Sequence, residues 1–329
     1  MRRKSSRAPH TGILAILTLA FCAALPPTAG QAGEPKTLRV LFIGNSFTHR
    51  GGMPKAVKEL AEAGNPGLRL EFIAYGGTGA KLERHWGGGT QNLVSITGMT
   101  AEERRAAVAS LRDALAKDPD DGRARTLLAQ HRKFQQLGTE PGKWDFVALQ
   151  SYGDDHGDAA LYAEYAEKFA KVIEAQGGRA VLYETTPGTM NAKPLTAPPQ
   201  PDAVLAKAKV IAALADRIDA AVVPMSMVAL HCQTVRPDFT LRFVNDGHPN
   251  QTMAYLTACT FYAAMFERSP EGLAVDTATD FKAFDGGKDA DGGPLKRTFS
   301  PKDRADLQRI AWEGFRRFQE LRKGAGQKK

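Results

Sequence analysis

The chain has 329 residues, 43% hydrophobic and 24% charged, which excludes a disordered or collagen-like protein and suffices for one large domain or two small ones. Its formal charge is +8, but Arg2, Arg3, Lys4 and Arg7 supply half of that, and without the first 33 residues the balance is +4. With no basic stripe interleaved with aromatics, this gives no basis for a nucleic-acid partner.

Residues 1–33 differ from the rest. After the basic start comes an apolar run, Ile13 to Leu25, and then small residues through Ala29, Gly30 and Ala32. This is the pattern of a secretory signal peptide cleaved near Ala32. The run is shorter than the roughly 20 residues of an ordinary membrane-spanning helix. Leu19-Ala20-Phe21-Cys22 departs from a lipoprotein box at Phe21. The expectation is an exported protein, periplasmic or extracellular, with no membrane attachment once the signal is gone. Residues 34–329 are expected to form a single domain. Cys22 leaves with the signal, so Cys232 and Cys259 remain, either as one disulfide or as two buried thiols.

In chain order, five short apolar segments read as buried strands: Leu38 to Ile43, Leu68 to Ala74, Trp144 to Gln150, Arg179 to Tyr183 and Ala220 to Met225. Helical patterns cover Met53 to Ala63, Ala160 to Gln176, Pro201 to Ile218, Asn250 to Phe266 and Pro301 to Leu321, the last opened by Ser300 and Pro301. Strands alternating with helices predict an α/β fold with a parallel sheet covered on both faces. Residues 87–143 break the alternation. Two charged amphipathic helices, Thr100 to Ala116 and Gly122 to Leu137, read as an insertion, either a solvated hairpin or a cap over a cleft. The acidic, glycine-rich stretch from Asp285 to Gly293 lacks the spacing of a calcium loop and reads as a solvated turn.

The chemistry-bearing residues fall at strand ends. Leu41-Phe42-Ile43-Gly44-Asn45-Ser46 places a hydroxyl where the first strand stops, the side on which open α/β sheets bind ligands. A serine there is a nucleophile only if a base reaches it. Phe243-Val244-Asn245-Asp246-Gly247-His248 opens the helix from Asn250 and offers a histidine base with a carboxylate two residues away. Tyr75-Gly76-Gly77 after the second strand and Gln150 at the end of the third offer N–H donors for a developing oxyanion. His85, beside Trp86, is either a packed ring or a group at the cleft rim touching substrate; His49, His156 and Asp154-Asp155 are further cleft candidates. No His/Cys group has zinc spacing, so neither a metal nor another cofactor is expected.

Serine after strand one, glycine after strand two, an amide after strand three and Asp/His after strand five resembles the block order of the SGNH (GDSL-like) hydrolase superfamily. The details are similar to a bacterial branch of unassigned function: Phe42 to Thr48, Gly76-Gly77 followed by Leu82-Glu83-Arg84-His85-Trp86, Trp144 to Gln150, His248-Pro249-Asn250 followed by Tyr255 to Cys259, and Leu307 to Ala311. The resemblance implies a flavodoxin-like three-layer α/β/α fold with a five-stranded parallel sheet, and metal-independent ester hydrolysis. It implies Ser46 as nucleophile, His248 as general base and then acid, and an oxyanion hole from the Ser46 and Gly77 N–H groups with an amide side chain, here Gln150. The superfamily usually places its aspartate three residues before the histidine; that position is Asn245 here. Asp246 is the preferred partner of His248, with Asn245 as the other candidate. The expected function is an exported serine esterase acting on small-molecule or polysaccharide esters, acetyl esters among them. The alternative is a carbohydrate-binding protein on the same fold without turnover.

Overall fold

Strand residues that alternate between two apolar faces need cover on both sides, and the sheet has it. The computed structural model describes residues 36–137, 142–153, 157–185 and 187–326. The signal-peptide expectation, and with it Cys22, lies outside the described residues, as do Asp154, Asp155 and His156. Five parallel strands form the main sheet: β1 Lys36–Gly44, β2 Leu68–Gly76, β3 Phe146–Leu149, β4 Arg179–Glu184 and β5 Ala221–Pro224. Their spatial order is β2-β1-β3-β4-β5. This is the flavodoxin-like order, whose switch point lies between β1 and β3. The register pairs Gly44 with Gly76 and Ile43 with Leu149, so β1, β2 and β3 stop at one edge. All five expected strands occur, with ends shifted by one or two residues.

The helices are α1 Ser46–His49, α2 Met53–Gly64, α3 Leu82–Gly87, α4 Thr90–Thr97, α5 Ala101–Lys117 and α6 Gly122–Gln135. They continue with α7 Ala159–Ala175, α8 Asp202–Arg217, α9 Met225–Val235, α10 Gln251–Phe266 and α11 Pro301–Gly326. On one face of the sheet Leu38, Val40 and Phe42 pack against α2, α9, α10 and α11. On the other, Leu41 and Ile43 pack with residues of α3, α4, α7 and α8. These are the three layers of an α/β/α fold. Helix α10 buries residues on every side, which marks it as an interior helix. Cys259 on α10 and Cys232 on α9 are separate buried thiols. Burial raises both thiol pKa values, that of Cys232 to about 12.

Three parts of the chain differ from expectation. Helix α9 follows β5 directly, where only the end of a strand at Met225 was expected. The 87–143 stretch is not one solvated unit: α4 buries Leu93, Val94 and Ile96 in the core, whereas α5 has no buried residue. A capping box of Thr100 and Glu103 starts α5. The acidic stretch also differs. It connects the strands of a two-stranded antiparallel hairpin, β6 Thr277–Thr279 and β7 Lys296–Thr298, and Asp289 and Asp291 bind groups outside that hairpin.

Candidate active site

The turn after β1 is built to present Ser46. A side chain at Gly44 would meet Thr48 Oγ1 at 2.3 Å and Gln150 Oε1 at 2.6 Å, so the chain passes between them only as glycine. Asn45 then caps α1: its Oδ1 accepts the Phe47 N–H at 3.0 Å, and its Nδ2 donates to the Ala80 carbonyl at 3.3 Å. Gln150, at the end of β3, supports this turn from below. Its Oε1 accepts the Asn45 N–H at 2.8 Å and the Thr48 hydroxyl at 3.1 Å. The Ser46 N–H meets no acceptor among the described residues.

The second loop is closed by a bridge between Arg242 and Pro249 and by the Phe243 N–H donating to the His248 carbonyl at 3.2 Å. Asn250 anchors its far end. Its Oδ1 caps α10 through the Met253 N–H at 3.1 Å, while its Nδ2 donates to Thr240 and Arg242. The loop aims His248 Nε2 at Ser46 Oγ, 2.8 Å away. The Phe47 ring meets the His248 ring edge-on at 5.6 Å between centroids. Asp246 Oδ1 accepts from both the His248 backbone N–H, at 3.0 Å, and His248 Nδ1. The first of these bonds makes an Asx turn. That turn is why a spacing of two residues suffices: the carboxylate folds back over Gly247 onto the ring. Asn245 is exposed and engages through its backbone, its N–H donating to Asp291 Oδ1 at 2.9 Å.

A third group, absent from the sequence reading, sits behind the aspartate. Arg50 Nη1 donates to Asp246 Oδ2 at 2.5 Å. Its Nε and Nη2 donate to Asp280 at 3.1–3.3 Å. The guanidinium lies between the rings of Phe243 and Phe284, 5.0 and 5.2 Å from their centroids. The Arg50 and Asp280 side chains are 5% and 2% exposed, so the three charges interact with little water between them. Burial works to raise the Asp246 pKa, but the hydrogen bonds from His248 and Arg50 outweigh it and hold the carboxyl at about 2. The only sequence signal for this clamp was an arginine four residues after the serine.

The hairpin continues the clamp. Asp291 accepts the Val244 and Asn245 N–H groups at 2.9 Å each. Asp289 accepts from Gln251 Nε2 at 3.1 Å. The solvated turn expected from 285 to 293 is thus a brace on the histidine loop. The carboxylates of Asp289 and Asp291 accept from backbone and amide donors of this chain.

The structure therefore brings Ser46, His248 and Asp246 into one hydrogen-bonded line. It places the other expected residues differently. His85 is not at a rim: it is 5% exposed, its Nε2 donates to the Gly44 carbonyl at 2.9 Å, and Thr90 Oγ1 lies 3.3 Å from its Nδ1. Gln150 turns its amide nitrogen onto the Ser151 carbonyl at 2.6 Å and its oxygen into the serine turn, so it holds the turn instead of facing the seryl hydroxyl. The Gly77 N–H donates to Gly44 O at 3.3 Å, a long bond beside the turn. His49 packs against the β2 end, where a Cβ on Gly76 would lie 1.9 Å from its Nε2. Burial is the main cause lowering the pKa of both His49 and His85, which favours neutral rings.

No family model and no curated protein matches the chain. Solved structures do. A DUF4886 family protein from Bacteroides uniformis superposes with a TM-score of 0.50 at 16% identity, over 84% of this chain and 94% of that one. A protein from Slackia heliotrinireducens, described as an SGNH hydrolase candidate, gives 0.42 at 20% identity over 70% and 100% of the two chains. TesA gives 0.37 at 15% identity over 69% and 99%. At these identities the likeness concerns the fold alone, the three-layer α/β/α arrangement that the chain shares with the DUF4886 family protein.

Proposed function

We propose that this protein is an exported serine esterase of the SGNH type. The observation that carries the reading is the 2.8 Å approach of His248 Nε2 to Ser46 Oγ, with Asp246 on the opposite ring nitrogen. In this reading Ser46 Oγ attacks an ester carbonyl while His248 Nε2 takes its proton. Asp246 fixes the tautomer and stabilises the imidazolium. His248 then protonates the leaving alcohol, and water activated by the same ring releases the acid from Ser46. The oxyanion is assigned to the open Ser46 N–H and to the Gly77 N–H, whose 3.3 Å bond to Gly44 is weak enough to exchange.

For the substrate we favour O-acylated carbohydrate outside the cytoplasm, with acetyl esters as the simplest case. The signal-like pattern of residues 1–33 supports this, because it fits an extracytoplasmic substrate. The non-catalytic alternative drew its motive from the short Asp246–His248 spacing, which the Asx turn accommodates.

The test is hydrolysis of p-nitrophenyl acetate and of acetylated xylan by purified protein and by Ser46→Ala. The expected loss in the variant is at least about 10³-fold. Equal rates for the two proteins would sink the reading, and labelling of a serine other than Ser46 by a fluorophosphonate would sink the site.

A further inference from the structure

The carboxylates of the β6–β7 hairpin reach back to the loop that carries His248, and one of them stands opposite the triad across a single guanidinium. Arg50 has Asp280 on its Nε and Nη2 and Asp246 on its Nη1. An arginine that held Asp246 alone would fix the carboxylate but also oppose a second positive charge nearby. That second charge is the imidazolium His248 becomes on taking the Ser46 proton.

We propose that Asp280 is a positioning residue of this site: by neutralising Arg50, it lets Arg50 hold the Asp246 carboxylate without drawing its charge away from His248. The proposal rests on the reading of His248 as the base. Asp280, Arg50 and Asp246 together carry one net negative charge, and the imidazolium balances it. Arg50 is enclosed by Phe243 and Phe284 as well as by the two acids, so solvent does little of this neutralising. The other charged groups near the loop are engaged elsewhere. Asp291 accepts the Val244 and Asn245 N–H groups, and Asp289 binds Gln251. Arg242 donates to the Met190 and Phe243 carbonyls, and Lys282 lies over the Phe284 ring. His49 and His85 beneath the serine turn favour the neutral form. The hairpin, added outside the main sheet, is in this view part of the catalytic apparatus.

The experiment is an NMR titration of the His248 ring in purified protein, compared with the pH profile of kcat/KM. It uses wild type, Asp280→Asn, Arg50→Gln and the double variant. Asp280→Asn leaves Arg50 uncompensated and should lower the His248 midpoint relative to wild type by about one pH unit. Arg50→Gln should raise it by a similar amount. The double variant, neutral at both positions, should return to within about a few tenths of a unit of wild type. A merely structural role predicts shifts of one sign in both single variants, or a double variant further from wild type than either, and each would overturn the proposal. Should Arg50→Gln not fold, because Asp280 is left buried and unpaired, the downward shift in Asp280→Asn and its reversal in the double variant carry the test. The titration does not need turnover. An inactive wild type would sink the esterase reading alone; an active wild type without these shifts would sink this proposal alone.

Discussion

Gln150 Oε1 accepts the backbone N–H of Asn45 at 2.8 Å, so the end of β3 holds the turn that presents Ser46. The bond is fully buried and crosses the switch point between β1 and β3. Gln150→Ala strands the Asn45 N–H and the Thr48 hydroxyl, at a cost of about 1–3 kcal/mol each way of counting. The expected outcome is a lower melting temperature and a kcat reduced about ten- to a hundredfold, with KM within about twofold, because Gln150 touches the turn and not the substrate. Steady-state kinetics and thermal unfolding check this. A changed KM with kcat intact would return Gln150 to a substrate-facing role.

Gly76 closes the same site from the β2 side. A Cβ there would lie 1.9 Å from His49 Nε2 and 2.6 Å from the Gly44 carbonyl. The second contact is with backbone and cannot be relieved by a rotamer change. Gly76→Ala should therefore move the serine turn or unfold the edge of the sheet, costing about 1–3 kcal/mol or more. Gly77→Ala is the control, since its Cβ would find only Ala80 at 3.6 Å. Comparing the two by melting temperature separates crowding from the loss of glycine as such.

His85 donates to the Gly44 carbonyl from a buried position, and its charged form is disfavoured first by burial. His85→Gln can keep the donor, whereas His85→Phe cannot, so kcat should fall in the second variant and KM should hold in both. The pH dependence follows in sign. His49 and His85 have folded-state pKa values below 6.5, so the unfolded chain binds more protons in the window beneath that value. Stability should fall as pH drops through 6.5 toward the lowered native values. Melting temperatures from about pH 8 to about pH 5 should show this slope, and His49→Gln with His85→Gln should flatten it.

The parts of the fold that could be read in the sequence share a local signature. Leu38 to Ile43 alternates between two apolar faces and ends in Gly44, so both the strand and the serine at its end were visible. Asp246 and His248 were visible because a short polar loop precedes an apolar helix. What escaped depends on distance. Arg50 meets Asp246 196 residues away and Asp280 230 residues away, and nothing near Arg50 marks it as a clamp. Helix α9 escaped because Met225 follows Pro224 with no polar break between strand and helix. The hairpin escaped because its strands have three residues each. The direction in which His85 and Gln150 point is set by packing against Gly44 and Asn45, which spacing alone does not encode.

Asp246 carries the opposite pH signature from the buried histidines. Its folded-state pKa of about 2 lies below the ordinary 3.8. The group is ionised in both states above 3.8, so its stabilisation is complete there and is lost as pH falls from that value toward 2. With the side chain 15% exposed, the shift corresponds to about 2 kcal/mol. Asp246→Asn should therefore lower stability near neutral pH and flatten the stability profile in strongly acidic solution. Asn245→Ala, whose side chain is exposed, should change neither. In turnover, Asp246→Asn should cost about 10³- to 10⁴-fold in kcat, because the amide can present a donor to His248 Nδ1 and favour the wrong tautomer. If Asn245→Ala loses kcat and Asp246→Asn does not, the aspartate is structural and the histidine is oriented by its other neighbour.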